Sequence, residues 1–278
     1  MNPGESVIKK TMAKPSRPQV DAFSLVCSVL SGLVLLFVVG PLVGLFVQSS
    51  PSELLETARD TEVQRSIWLT LWTSMGITLI WGVAAIPLAY VLARKRFPLK
   101  GVVSAAIDLP IVLPHPAAGI ALLGVISRET TVGKLADRLG ISFISQPAGI
   151  MLAMAFVSIP FLVNEVRDGF HGVPERLEKA ALALGSSPTR VFTTISVPLA
   201  WRSILSGIIL MWARGMSEFG AVVVIAYHPP IAPILIYERL TAYGLAHARS
   251  ATVLVICLCL VLFAAIRLVA RERDRAAS

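Results

Sequence analysis

Six stretches of this chain are nearly free of charge and long enough, or almost long enough, to cross a bilayer, and that limits what it can fold into. A membrane-spanning helix needs ~20 consecutive apolar residues. Residues 22–52 carry no charge, with their apolar core at 25–47, and residues 66–93, 109–127 and 139–164 carry none either. Residues 203–237 are interrupted only by Arg214 and Glu218, and 250–266 form a shorter run beside which Arg267 can snorkel to the interface. None alternates apolar and polar residues, which disfavours a β-barrel. Composition agrees: 55% of residues are hydrophobic and 15% charged, against ~45–50% and ~25% in a soluble domain. The mean hydropathy of +0.74 points the same way. A soluble enzyme, a disordered chain and a disulfide scaffold are set aside. The expected fold is all-α, a polytopic membrane protein with six transmembrane helices.

A net charge of +8 would suggest nucleic acid on a soluble protein. Here the basic residues flank the apolar runs, so membrane lipid is the expected neighbour and nucleic acid is not. With the N-terminus in the cytoplasm, seventeen of the 25 Lys and Arg fall in cytoplasmic segments, seven fall outside, and Arg214 stays in the membrane. That bias supports six spans in a cell (inner or plasma) membrane with both termini cytoplasmic. Residues 1–21 then form a cytoplasmic tail, 22–270 the membrane domain and 271–278 a second tail. The first run exceeds the ~7–15-residue core of a signal peptide, so it reads as a retained helix. Cys27, Cys257 and Cys259 lie within apolar runs, so neither a disulfide nor a zinc site is expected.

The longest cytoplasmic connection, about 167–202, is too polar to span and too patterned for a linker. Pro174 suits a helix N-terminus, and the residues from Glu175 to Leu184 are good helix formers. Gly185 stands where a helix C-terminus wants glycine. Ser186 or Ser187 can cap a second helix with Pro188 in its first turn, about 187–194, with Val191, Phe192 and Ile195 on one face. Pro198 is expected to interrupt it before the fifth span.

Two membrane stretches stand out. DLPIVLPHPAAGIALLG, residues 108–124, holds Pro110, Pro114 and Pro116, a density that breaks helices. Broken backbone at membrane depth survives only against protein or a water-filled cavity. The stretch is therefore either a pathway or gate element, with Asp108, Pro114 and His115 as its candidates, or a kinked helix entrance. His115 could be a pH sensor or ligand, but a lone His among prolines more often plays a structural part. In the second stretch Arg214 and Glu218 lie one helical turn apart. They form either a self-neutralising pair or a polar strip near the pathway. Gly207, Gly215 and Gly220 would let neighbouring helices approach closely.

The cytoplasmic connection resembles the EAA loop of ABC importer permeases, whose pattern is Glu-Ala-Ala, three residues, Gly, nine residues, Ile, one residue, Leu-Pro. Here Lys179-Ala180-Ala181, Gly185, Ile195 and Val197-Pro198 keep the spacing. Lys179 stands in place of the acid, with Glu178 next to it, and Val197 in place of Leu. The strings at 108–124 and 213–227 look like the molybdate/tungstate branch, with sulfate permeases as close relatives. The resemblance, over about 22–270, implies the type I ABC importer permease fold. It also implies a homodimer, two ABC ATPase subunits, an extracytoplasmic oxyanion-binding protein received by loops 49–65, 127–145 and 229–250, and alternating access driven through the loop. The coupling residues it implies are Glu178, Lys179, Ala180, Ala181, Gly185, Ser187, Pro188, Val191, Phe192, Ile195 and Pro198. No Walker A pattern occurs in the chain, so ATP and Mg are expected on the ATPase partner. No cofactor, metal or catalytic group is expected on this chain.

Two rivals lie outside that class. An ion-driven secondary transporter would need a relay of intramembrane ionisable groups, and only Asp108, Arg214 and Glu218 qualify. A membrane-embedded enzyme would pair His115 with Glu218 or Asp108, and no H-E-x-x-H or G-x-S-x-G motif supports it. Neither needs the glycine-turned loop.

Overall fold

The computed structural model describes residues 21–276, with side chains as far as residue 264. The expected tail at 1–21, all but its last residue, and the final two residues of the chain lie outside the described residues. Among the described residues every regular element is helical.

Residues 21–50 belong to a unit of their own. Its helix α1, Ala22–Val47, has 26 residues with Pro41 inside, ~39 Å at 1.5 Å per residue and enough to cross the hydrocarbon core.

The second unit, from Pro51 onward, starts with α2 (Pro51–Arg59) and α3 (Thr61–Arg94). A bent pair follows, α4 (Lys100–Val112) and α5 (His115–Ile126), and then α6 (Thr131–Arg138) and the long α7 (Pro147–Gly172). Next come α8 (Glu175–Ala183), α9 (Pro188–Val191), a π turn (Phe192–Ser196), α10 (Val197–Leu199) and α11 (Trp201–Met216). The unit closes with α12 (Gly220–Ile225), α13 (Ala232–Tyr243) and α14 (Leu245–Ala276). Because α14 runs to Ala276, no break marks the tail expected from residue 271.

The core is the packing of α3, α7 and α11 on one another. Ile77, Ala85, Ala89 and Leu92 of α3 meet Ile150, Met154, Val157, Leu162, Val166 and Phe170 of α7, with Ile204 and Met211 of α11. Buried hydroxyls on α3 bond their own helix: Thr70 Oγ1 donates to the Ser66 carbonyl (2.7 Å) and Ser74 Oγ to that of Thr70 (2.6 Å). Small polar residues of this kind let membrane helices pack closely. Thr70 Oγ1 also accepts the Ala232 N–H (2.8 Å), satisfying one of the donors that the start of α13 leaves free.

Among the described residues four helices are long and apolar enough to span: α1, α3, α7 and α14. Two bent pairs, α4 with α5 (118°) and α9–α10 with α11 (75°), bring the number to six if each counts as one span. The expected boundaries shift in four places. The run 109–127 is divided at Leu113-Pro114, where proline density called for a break. The run 139–164 is not a helix until Pro147, and α7 then continues through Glu165, Arg167 and Asp168 to Gly172. Its inward face persists there as Leu162, Val166 and Phe170, so the connection to α8 begins at Val173. The run 203–237 is three helices, because α11 ends at Met216 and the Glu218 carboxylate takes up the Ala221 N–H (2.8 Å) at the start of α12. Finally, Pro198 does not end the short helix that follows Ser187; the bend falls at Ala200. A π turn bonds Val197 N–H to Phe192 O and so makes room for Pro198, which has no N–H to give.

Of the three glycines expected at close helix contacts, two are. A Cβ on Gly220 would lie 2.6 Å from His115 Cβ, and one on Gly207 would lie 3.0 Å from Leu162 Cδ1. Gly215 has ordinary contacts at 3.4 Å.

Candidate functional site

The loop between α7 and α11 is built around a buried ion pair. Glu178 is the inward residue of α8, and its carboxylate meets Arg94, the last residue of α3, with side-chain exposures of 8% and 7%. Arg94 Nε lies 3.1 and 3.0 Å from the two carboxylate oxygens, and Nη2 lies 3.0 Å from Oε1. This is the bidentate geometry that makes Arg–carboxylate pairs strong. Arg94 Nη2 also donates to the Val173 carbonyl (2.7 Å), and Ser196 Oγ donates to Glu178 Oε1 (2.8 Å). Beneath the pair, the ring of Tyr90 stands edge-on to Phe170 (5.2 Å) and Phe192 (4.9 Å). One node thus ties the ends of α3 and α7 to α8 and the π turn. Arg94, Tyr90, Phe170 and Ser196 were not foreseen: Arg94 opens a basic run that reads as a cytoplasmic flank, and its partner is remote in sequence.

The loop's second half turns on Gly185. Gly185 N–H bonds Leu182 O (3.0 Å) and Ser186 N–H bonds Ala181 O (3.0 Å). This double closure needs a left-handed residue, and Gly185 has φ +87°. Ser187 Oγ then accepts the Arg190 N–H (3.3 Å) and caps α9, with Pro188 in the first turn. The faces separate cleanly. Val191 is buried, Phe192 and Ile195 are half-buried, and Phe192 and Val197 pack on the core. Ser187, Pro188, Thr189, Arg190, Thr193, Thr194 and Pro198 are exposed, as are Lys179, Ala180 and Gly185, with Ala181 half-buried. Lys179 takes no part in the node. It donates to Glu175 (2.8 Å) on the surface and holds that carboxyl below its ordinary range.

A second cluster lies within the membrane domain. Arg214 Nη2 donates to Glu218 Oε2 (2.9 Å) and lies 2.7 Å from His115 Nε2. A guanidinium can only donate, so Nε2 accepts and the proton of the neutral ring sits on Nδ1, which is 3.9 Å from Glu218 Oε2. His115 is therefore no isolated residue: the break at Pro114, which caps α5, sets it against α12. Glu218 is fully buried, whereas Arg214 and His115 are 18% and 43% exposed. Asp108 joins another partner, accepting from Asn164 Nδ2 (2.6 Å).

A third feature is a cavity of about 1070 Å³ between α2, the start of α3, α13 and the start of α14. Glu53, Glu56, Asp60, Glu62 and Glu238 line it beside Arg59 and Arg239. Arg239 bridges Asp60 and Glu62. Burial alone would raise the Asp60 pKa, but the Arg239 hydrogen bond and the Glu62 N–H outweigh it and hold the carboxyl below its ordinary value.

Residues 85–275 match the family of binding-protein-dependent transport system inner membrane components. The chain is 40% identical over 240 residues to the molybdate/tungstate transport system permease protein WtpB of Thermococcus kodakarensis, covering 86% of this chain and 92% of that one. It is 33% identical over 236 residues to the probable sulfate transport system permease protein cysT of Nephroselmis olivacea, covering 84% and 83%. Among solved structures it resembles a chain of a bacterial ABC transporter involved in importing the acidic polysaccharide alginate. There the TM-score is 0.70 and the identity 17%, over 91% of this chain and 95% of that one.

Proposed function

This chain belongs to the binding-protein-dependent transport system inner membrane components, and from that premise we propose that it is the membrane-spanning subunit of an ATP-driven importer of molybdate or tungstate. The observation that carries the mechanism is the cytoplasmic loop. Its outer face, Ser187 to Arg190 with Thr193 and Thr194, is free to dock on an ATPase subunit. Its inner face is fixed through Glu178 and Phe192 to the ends of α3 and α7. Movement of the docked helix is thereby delivered to two core helices as a rigid displacement, the requirement for switching between two packings. The chain works as a homodimer with two ATPase subunits, which bind ATP and Mg, and its termini are cytoplasmic. The cavity beside α13 lies in two of the loops assigned to the binding protein, 49–65 and 229–250. Sulfate is the second reading, carried by the 33% identity above.

Uptake by the complete complex in proteoliposomes tests the cargo. Labelled tungstate should enter only with ATP and the binding protein, molybdate should compete, and sulfate in ~100-fold excess should not. Uptake of sulfate with tungstate excluded would transfer the assignment to the second reading. The glycine turn gives a separate test. Gly185→Val forces a β-branched residue to φ +87°, at about 1–2 kcal/mol or more, although no atom lies within 4 Å of the new Cβ. The variant should remain folded in detergent while ATPase co-purification and uptake fall at least tenfold. Normal uptake by it would remove the loop from the coupling path.

A further inference from the structure

Ionisable groups with open surface at membrane depth face a water-filled path or another protein, because lipid does not tolerate them. Arg214 lies ~20 Å along α11 from Trp201 at 1.5 Å per residue, well within a ~30 Å hydrocarbon core. The cluster around it is one-sided. The carboxylate of Glu218 is fully buried behind the guanidinium, while Arg214 and His115 keep 18% and 43% of their side-chain surface open. Ser217 beside them is exposed. Leu210, one turn earlier on the face of Arg214, is 42% exposed and apolar, so the polar spot is local. An ion arriving there meets hydrogen-bond donors and not the acid.

The guanidinium also has capacity left. Its Nη2 serves His115 and Glu218, and Nη1 reaches Ser217 Oγ at 3.3 Å. Nε–H and the second Nη1–H have no partner among the described residues. The Ser217 hydroxyl donates to the Arg214 carbonyl (3.0 Å) and can rotate away from it.

We propose that Arg214 and Ser217 form a transit site for a tetrahedral oxyanion in the translocation path, with His115 and Glu218 as positioning residues that hold the guanidinium in place. This rests on the reading of the chain as an oxyanion importer. The fixed counter-charge of Glu218 keeps the site weak. That suits a pathway, where an ion must enter readily and also leave. Each protomer of a homodimer contributes one such guanidinium to the path of a doubly charged ion.

The test uses the complete complex in proteoliposomes with labelled tungstate and compares uptake with binding-protein-stimulated ATP hydrolysis. Arg214→Lys keeps a cation beside Glu218 but loses the planar fork. Ser217→Asp puts a carboxylate on the open face beside Arg214 Nη1, where it repels an arriving anion, while Arg214 and Glu218 themselves stay unchanged. In both, uptake should fall at least tenfold while hydrolysis by the ATPase subunits persists within about twofold. If the lysine variant fails to assemble, the aspartate variant carries the test. Unchanged uptake by Ser217→Asp, or loss of hydrolysis together with uptake, overturns the transit site. A wild-type complex that imports no oxyanion overturns the importer reading itself.

Discussion

Arg94→Ala is expected to release the loop of α8 and α9 from the membrane domain and to abolish transport. Glu178 has 8% of its side chain exposed, and Arg94 is its only cationic partner among the described residues. Removing one member of a buried pair leaves the other charged in a poorly solvating site, a loss of roughly 3–5 kcal/mol. The loss falls on the node and not on the core, because Leu92 and Ala89 of α3 keep their packing on α7. Two measurements separate the effects. Protease cleavage between 175 and 199 should accelerate by at least tenfold, while α3, α7 and α11 stay protected. Uptake should fall to background even where ATPase still co-purifies, since a docked loop without its anchor transmits nothing. The paired change Arg94→Met with Glu178→Leu should recover much of the protease resistance, because apolar replacement of a whole buried pair is often neutral or better. Wild-type uptake by Arg94→Ala would show that motion passes by another route.

Arg214→Ala carries the other large effect. Glu218 is fully buried and does two jobs: it neutralises Arg214 and accepts the Ala221 N–H that starts α12. Without Arg214, the carboxylate is left to the His115 ring 3.9 Å away. The expected loss is again roughly 3–5 kcal/mol, read as a lowered melting temperature of the purified chain in detergent. Glu218→Gln in the same background removes the orphaned charge while keeping an oxygen for Ala221, and should restore most of the loss. An unchanged melting temperature for Arg214→Ala would mean that water reaches Glu218 freely.

Much of this architecture is legible in the sequence because a bilayer offers few alternatives. Runs without charge mark spans, and Pro114 between apolar halves marks the bend ahead of His115. The glycine turn at Gly185 and the cap at Ser187 are local chemistry, written in adjacent residues and found where that chemistry puts them. What escaped was long-range. Arg94 and Glu178 are 84 positions apart, and each has an adequate local explanation, one as a positive flank and the other as a helix surface acid. The split of 203–237 escaped because hydropathy does not register a buried acid that caps the next short helix. His115 looked isolated because its partners, Arg214 and Glu218, come from an element folded back against it. Pro198 was read as a stop because a π turn cannot be inferred from residue types alone.

On the proposed mechanism an ATPase subunit engages this chain at the outer face of 187–194. A photocrosslinking side chain at Thr189, in native membranes, followed by mass spectrometry of the adduct, tests it most directly. A single major adduct to an ATP-binding-cassette protein is expected, and none of that kind from the buried Val191. Adducts only to lipid or to the chain itself, at a Thr189 position still competent for uptake, would contradict it.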